Sequence, residues 1–295
     1  MRFPFTGVIP VDKPAGATSR RCVDAVARAL GMRAVGHAGT LDPLAAGVVV
    51  VCVGHATKLV DFIHDLPKRY EATFLLGRSS PSDDLETPVE EEAVPVRPSR
   101  AEVEAALRPF RGDILQRPCD YSAVHVAGQR AYALARKGRP VELAPKPVRI
   151  DRLEITAYGW PRLAVEIECS SGTFVRAIGR DLAAALGTRA VMESLVRTAV
   201  GSFIRAASIP LDAVTPEAAR AALLPAVAAV AHLPRATLDG DLLDRAVRGG
   251  IMEMPGTAGG PGAIAALDAT GDLVGILRAH QSGGWRLRPN FRGLG

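Results

Sequence analysis

Three short stretches bring together residue types that can do chemistry. In Gly36-His37-Ala38-Gly39-Thr40-Leu41-Asp42-Pro43-Leu44-Ala45-Ala46-Gly47 one carboxylate, Asp42, stands in a glycine-flanked turn just before the unbroken apolar run Val48 to Val53. A carboxylate held by a stiff turn can act as nucleophile or base. An Asp before Pro also simply initiates turns, and His37 alone reads equally as a hydrogen-bonded loop residue. In Ser170-Ser171-Gly172-Thr173-Phe174-Val175-Arg176 the arginine falls in the first turn of a predicted helix. The helix dipole disfavours a cation there, so pairing with a carboxylate would account for it; an exposed surface arginine is the alternative. Lys68-Arg69-Tyr70-Glu71 places Tyr70 on a predicted strand, as a site aromatic or an ordinary core or edge residue.

Each stretch has an element to hold it. Val48 to Val53 reads as a strand buried on both faces, followed by a helix over about 57–66 and a strand over 68–76. Leu163 to Cys169 alternates apolar and polar residues, predicting a half-buried strand, and 173–186 has helical spacing closed by Gly187. Upstream, the short strand Val8 to Val11 runs into the turn-rich Asp12-Lys13-Pro14-Ala15-Gly16. Ser19 then reads as the N-cap of a helix reaching Leu30 and ended by Gly31. Ser99 and Glu102 form a capping box for a helix to Leu107. Residues 78–98 hold ten Asp, Glu or Pro without periodicity and read as a mobile acidic loop. Residues 213–231 read as an alanine-rich helical connector, and beyond Pro234 short apolar runs separated by glycines predict a small β-barrel of about 60 residues.

Composition narrows the function classes. With 295 residues, 48% of them apolar and 23% charged, the chain is globular and long enough for two domains. It contains no apolar run of membrane-spanning length. The first residues lack the layout of a secretory signal, so a cytoplasmic location is expected. Cys22, Cys52, Cys119 and Cys169 lie far apart without a C-x-x-C pair, which argues against a zinc site or disulfide framework and for reduced, buried thiols. There is no G-x-G-x-x-G, P-loop, H-E-x-x-H or G-x-S-x-G, so redox cofactor and serine hydrolase chemistry lose support. Charge is blocky: residues 1–80 sum to +4, 81–104 to −6 and 105–150 to +6, and nothing after Ala279 is acidic. Separated basic blocks fit an extended polyanion.

Taken together and in order, these segments resemble the bacterial tRNA pseudouridine-55 synthases. The resemblance rests on Val11-Asp12-Lys13-Pro14 with Gly16 and Ser19, the block from Gly36 to Leu59 that ends Gly54-His55-Ala56-Thr57-Lys58-Leu59, and Lys68-Arg69-Tyr70-Glu71. It continues through Phe110-Arg111-Gly112-Asp113, Gln116-Arg117-Pro118, Tyr121-Ser122-Ala123, Gly128 with Ala131-Tyr132 and Ala135-Arg136, Gly172 to Arg176, and Leu195-Val196-Arg197-Thr198. These cover about residues 8–212. The resemblance implies an α+β fold with a mixed, mainly antiparallel central sheet flanked by helices and loops. It implies a catalytic domain over 1–232, with RNA-binding insertions near 78–98 and 111–150, and a PUA-like RNA-binding barrel over 233–295. It further implies Asp42 as nucleophile, Arg176 as its partner and Tyr70 stacked on the target base. His37 would hold the RNA open, Phe174 would line the site and Leu195 would form an apolar wall, with Lys13 and Lys58 supporting the site or touching RNA. Here Ser80-Pro81-Ser82-Asp83-Asp84 replaces the usual Thr-Asp-Thr, Pro118-Cys119 the usual Pro-Pro, His125 a common Lys and His55 a common Glu.

The implied reaction breaks the N-glycosidic bond of uridine 55 in the tRNA T stem-loop, turns the uracil and rejoins its C5 to the sugar. It needs no cofactor and no metal. The base must leave its stack at a cost of roughly a few kcal/mol, which phosphate contacts from Arg111, Arg130, Arg136 and Arg149 would offset. The chain is expected to act as a monomer without guide RNA or protein partner. The competing readings are an RNA-folding factor whose catalysis is incidental and a guide-RNA-dependent relative.

Overall fold

The computed structural model describes residues 3–122, 125–126, 129–130, 143–253 and 262–292. Its strands are β1 (Gly7–Lys13), β2 (Val35–Ala38), β3 (Ala46–Val53), β4 (Lys68–Leu76), β5 (Arg78–Ser79), β6 (Glu90–Glu91), β7 (Gly112–Gln116), β8 (His125–Val126), β9 (Gln129–Arg130) and β10 (Lys146–Gly159). They continue as β11 (Arg162–Cys169), β12 (Ala190–Val200), β13 (Phe203–Ile204), β14 (Ile209–Pro210), β15 (Leu224–Pro225), β16 (Arg235–Thr237), β17 (Ala263–Leu267), β18 (Leu273–Ala279) and β19 (Trp285–Asn290). The helices are α1 (Ser19–Leu30), α2 (Val60–His64), α3 (Arg100–Leu107), α4 (Val175–Ala185), α5 (Pro216–Ala221) and α6 (Gly240–Val247). No helix among the described residues is long and apolar enough to cross a membrane.

The large sheet runs β14-β1-β3-β12-β4-β11-β10-β7. Its β1–β14 and β3–β12 pairs are parallel and the remaining neighbours antiparallel, the mixed sheet expected. The centre of the sheet explains the apolar run. Val49, Val51 and Val53 of β3 face a core shared with α1 and α4, whereas Val48, Val50 and Cys52 face a second core with Ile63 and Val230. A strand covered on both sides has no polar face to alternate. The second core also takes in Ala265 and Ile276, so the C-terminal sheet, ordered β16-β17-β18-β19, packs on that side. Helix α4 lies so close to β4 that a Cβ at Gly179 would come within 2.3 Å of the Phe74 ring.

Several local expectations are corrected. Thr18, not Ser19, caps α1, its hydroxyl accepting from the Arg21 N–H, and Ser19 turns inward. The helix expected over 57–66 is a 3-10 turn over Gly54–Leu59 followed by the short α2. Helix α4 begins at Val175 with Phe174 as N-cap. The acidic stretch 78–98 is anchored: β5 pairs with β6, and Ser82 and Asp84 are buried. The alanine-rich connector breaks into α5, the strand Leu224–Pro225 and a 3-10 turn. Alanine propensity is a weak prior, and here Pro225 and pairing of 224–225 with Val8 and Gly7 override it.

Candidate active site

Asp42 lies in the loop from Gly39 to Ala45 between β2 and β3. The loop is short and belongs to no ladder, so its carbonyls must find partners elsewhere. Two buried cations supply most of them. Arg197 on β12, 2% exposed, donates Nε to the Val48 carbonyl and reaches the Gly39 and Thr40 carbonyls at 3.2 and 3.4 Å. Lys13 at the end of β1 is wholly buried and donates Nζ to the carbonyls of Ala17, Pro43 and Ala45. The Gly16 N–H adds a bond to the Pro43 carbonyl at 2.7 Å. Gly47 closes the loop at φ +108°, where a Cβ would stand 2.2 Å from the Arg197 carbonyl oxygen. Only glycine permits that approach.

Arg176, on the first turn of α4, is 6% exposed and reaches Asp42 with Nη2 2.8 Å from Oδ2. The same nitrogen donates to the Tyr121 carbonyl at 2.8 Å, while Nη1 donates to the Ser82 carbonyl at 2.8 Å and lies 3.3 Å from Asp84 Oδ2. Burial works against the Arg176 charge, but Asp42 first, then Cys119, Asp84 and Asp83, more than offset it and raise its pKa. The sequence explanation for a cation at a helix N-terminus therefore holds: a carboxylate pairs with it. Asp84, 1% exposed, is held by the Ser82 hydroxyl and by the Glu86 N–H at 2.9 Å.

Asp42 and Arg176 border a cavity of about 430 Å³ shared with Tyr70, Leu195, Phe174, Thr173, Leu41, His64 and Lys146. Its volume is within the range that takes small organic ligands, roughly 300–1,000 Å³. Leu195 is buried, and Phe174 and Tyr70 are half-buried. Burial pushes the Tyr70 phenol up against the opposing influence of Arg197, its register partner across β4 and β12, so at neutral pH the phenol is a donor and an aromatic face rather than a base. A larger hollow, about 570 Å³, lies between α1 and the segment from Leu211 to Pro216 and is lined by Arg21, Asp24, Arg28 and Asp212. Of the predicted site residues it contains none.

The structure thus brings together Asp42, Arg176, Tyr70, Phe174 and Leu195. Lys13 reaches no surface: it supports the loop and has no access to RNA. His37 lies on strand β2, not in a loop, its buried Nδ1 has no partner among the described residues, and it does not line the cavity. Lys58 is exposed on the 3-10 turn and also lies off the cavity. Arg111 is engaged with Glu104 and the Leu153 carbonyl, and Arg149 with Asp113 and Asp151, so neither is free to grip phosphate without exchanging partners. The side chain of Arg130 and the whole of Arg136 and of the loop around them lie outside the described residues. Sequence reasoning missed Asp84, the loop-holding role of Arg197, and the rim residues His64 and Lys146. The Ser82-Asp83-Asp84 cluster carried a signal for the first, since such residues fold into side-chain-capped turns; the exposed His64 and Lys146 carried none.

Comparison with known proteins gives a consistent family. The model described as TruB family pseudouridylate synthase (N terminal domain) matches residues 27–175. The protein named tRNA pseudouridine synthase B of Gloeobacter violaceus is 42% identical over 86% of this chain and 88% of its own. That of Mycobacteroides abscessus is 41% identical over 92% of this chain and 91% of its own. Among solved structures, an H/ACA RNP bound to a substrate RNA containing 2'-deoxyuridine is similar with a TM-score of 0.74 and 22% identity, over 97% of this chain and 84% of that one. An archaeal box H/ACA sRNP Nop10-Cbf5 complex is similar with a TM-score of 0.73 and 22% identity, over 97% and 86%. At that identity the likeness speaks for the fold.

Proposed function

The chain belongs to the TruB family of pseudouridylate synthases, and from that premise we propose that it converts uridine 55 of the tRNA T stem-loop to pseudouridine with Asp42 as nucleophile. Formation of pseudouridine in tRNA follows the relatives of similar length; position 55 and the side-chain roles are proposed from the sequence resemblance, and the geometry of the site supports the roles. The observation that carries the reading is the Asp42–Arg176 pair at 2.8 Å on the wall of a cavity with apolar sides.

The everted uracil enters between Leu195 and Phe174 and stacks on Tyr70. Asp42, whose side chain is 42% exposed and faces this space, is among the described residues the one carboxylate placed to attack, whereas Asp84 is shut beneath Arg176. Asp42 forms a bond to the nucleotide that is later released; in between the N1–C1' bond breaks, the uracil turns and C5 bonds to C1', after which C5 gives up its proton and N1 takes one up. Atoms and electrons balance within the nucleotide, so the proposal requires no cofactor. The guanidinium holds the carboxylate in its ionised, correctly aimed form and limits the reorganisation needed as charge develops. Lys146 and His64, at the rim, are placed for phosphates flanking the everted nucleotide. The protein acts on tRNA as a monomer, without guide RNA or partner, and its C-terminal region, residues 233–295, forms a PUA-like domain that adds RNA contacts.

The test is tritium release from C5-labelled uridine in a T stem-loop transcript by the purified protein alone. Wild type is expected to release tritium, and Asp42→Asn to lose at least roughly 10³-fold in turnover while still binding the RNA. Equal release by both proteins removes Asp42 from the mechanism. Release only after a guide RNA or partner is added removes the stand-alone reading.

A further inference from the structure

Asp42 and Arg176 come from a loop and a helix, segments that lie outside the ladders of the central sheet. One residue before Asp42, Leu41 has its side chain sunk in the core and its peptide groups in a loop. Its N–H donates to Ser19 Oγ at 2.8 Å, and the same hydroxyl donates to its carbonyl at 3.1 Å. A hydroxyl has one proton and two lone pairs, so a single serine can satisfy both. Two residues before Arg176, Phe174 is held the same way. Its N–H donates to Gln116 Oε1 at 2.8 Å, and Gln116 Nε2 donates to its carbonyl at 3.1 Å. A carboxamide offers the donor and acceptor of a peptide group, so Gln116 pairs with Phe174 as a strand residue would.

Both clamping side chains are buried, at 4% and 2% exposure, and both stand on regular elements, α1 and β7. Each grips both polar groups of one backbone unit, which fixes its orientation as well as its position. We propose that Ser19 and Gln116 are a matched pair of positioning residues that set the Asp42–Arg176 geometry from its two sides. Neither lines the cavity, so neither acts on the RNA itself. The clamps matter because Asp42 is far more exposed than its partner, 42% against 6% for the side chains, and depends on its loop for its aim. A displacement of about 1 Å at a reacting group can cost about 100-fold in rate.

This rests on the pseudouridine synthase reading and is tested apart from it. Ser19→Ala and Gln116→Met remove the hydrogen bonds at nearly constant volume. Single-turnover tritium release from a full tRNA transcript, RNA affinity and thermal midpoint are measured on the same preparations. Each substitution is expected to slow release roughly 10- to 100-fold with RNA affinity changed less than about threefold. Release within twofold of wild type, whatever the midpoint does, overturns the proposal and leaves the two residues as ordinary buried hydrogen-bonders. Equal losses in rate and affinity also overturn it, by making them part of RNA binding. If one variant does not fold, the other decides. A parallel transcript with uridine 55 replaced by cytidine keeps the questions separate: undiminished wild-type release there refutes the choice of position, while the ratio of variant to wild type still judges the clamps.

Discussion

Two groups of cations divide the molecule. Beneath the cavity, Lys13, Arg176 and Arg197 are nearly inaccessible, and their donors end on backbone carbonyls or on Asp42 and Asp84. On the C-terminal sheet, Arg278, Arg286 and Arg288 surround a hollow of about 360 Å³ together with His280 and Gln281. Arg278 stands directly across from Arg286 in the β18–β19 ladder, and among the described residues none of the three makes an ion pair. Like charges opposed across a ladder are unfavourable, so cross-strand pairing does not explain the second group. The first group directs its charge inward, to hold a loop whose carbonyls would otherwise be orphaned. The second keeps its charge available to an outside anion. Arg278 also lies 5.2 Å over the ring of Phe62 on α2, the helix whose His64 lines the catalytic cavity, so the two groups share a border.

The largest effect that can break this division is at Arg176. A lysine cannot reproduce a planar fork that meets Asp42, Asp84 and two carbonyls at once. Breaking a buried pair costs about 3–5 kcal/mol, and much of that falls on the aim of Asp42. Arg176→Lys is therefore expected to lower turnover roughly 10²- to 10³-fold with RNA affinity nearly unchanged. A defect confined to affinity would place Arg176 in the outward group. The next effect in size is at the other group. Replacing Arg278, Arg286 and Arg288 together by glutamine is expected to weaken tRNA binding about tenfold and to reduce the slope of log affinity against log salt by about 2. Turnover of bound RNA should stay as in wild type. An unchanged salt slope would show that these arginines meet no phosphate.

How far each group could be read in the sequence follows from how cations are buried. Asp42, Arg176 and Tyr70 were legible through motif order, and the helix-dipole argument already asked for a carboxylate beside Arg176. The role of Arg197 is not legible, because an arginine in an alternating strand reads as outward-facing until the loop beneath it is known. Asp84 stands in the stretch 78–98 that reads as a mobile acidic loop, so its burial beneath Arg176 is not legible there. That stretch has no periodicity to mark an inward face, while Asp84 folds inward through the Ser82 hydroxyl and the Glu86 N–H. The buried strand β3 and the capping box at Ser99 were legible because one chain pattern has one structural consequence in each. The connector over 213–231 was not, because its alanines favour helix locally and edge pairing with β1 decides otherwise.

The smallest effect concerns how far the inward cations extend their field. His37 is half-buried beside them, and its pKa is lowered from 6.5 by burial first and by Arg197 second. Below pH 6.5 the unfolded chain then binds a proton that the folded chain resists, so the unfolded state carries more protons and stability falls as the solution is acidified toward the folded pKa. Above 6.5 the imidazole is neutral in both states and contributes no slope. Thermal midpoints of wild type and His37→Asn, measured from pH 7.5 down to about 5, should diverge on the acid side, with the wild type losing more. Restoring part of that loss in an Arg197→Met background would attribute it to the cation. Parallel curves for wild type and His37→Asn would mean that neither burial nor the charge of Arg197 holds a proton off His37 in the folded chain.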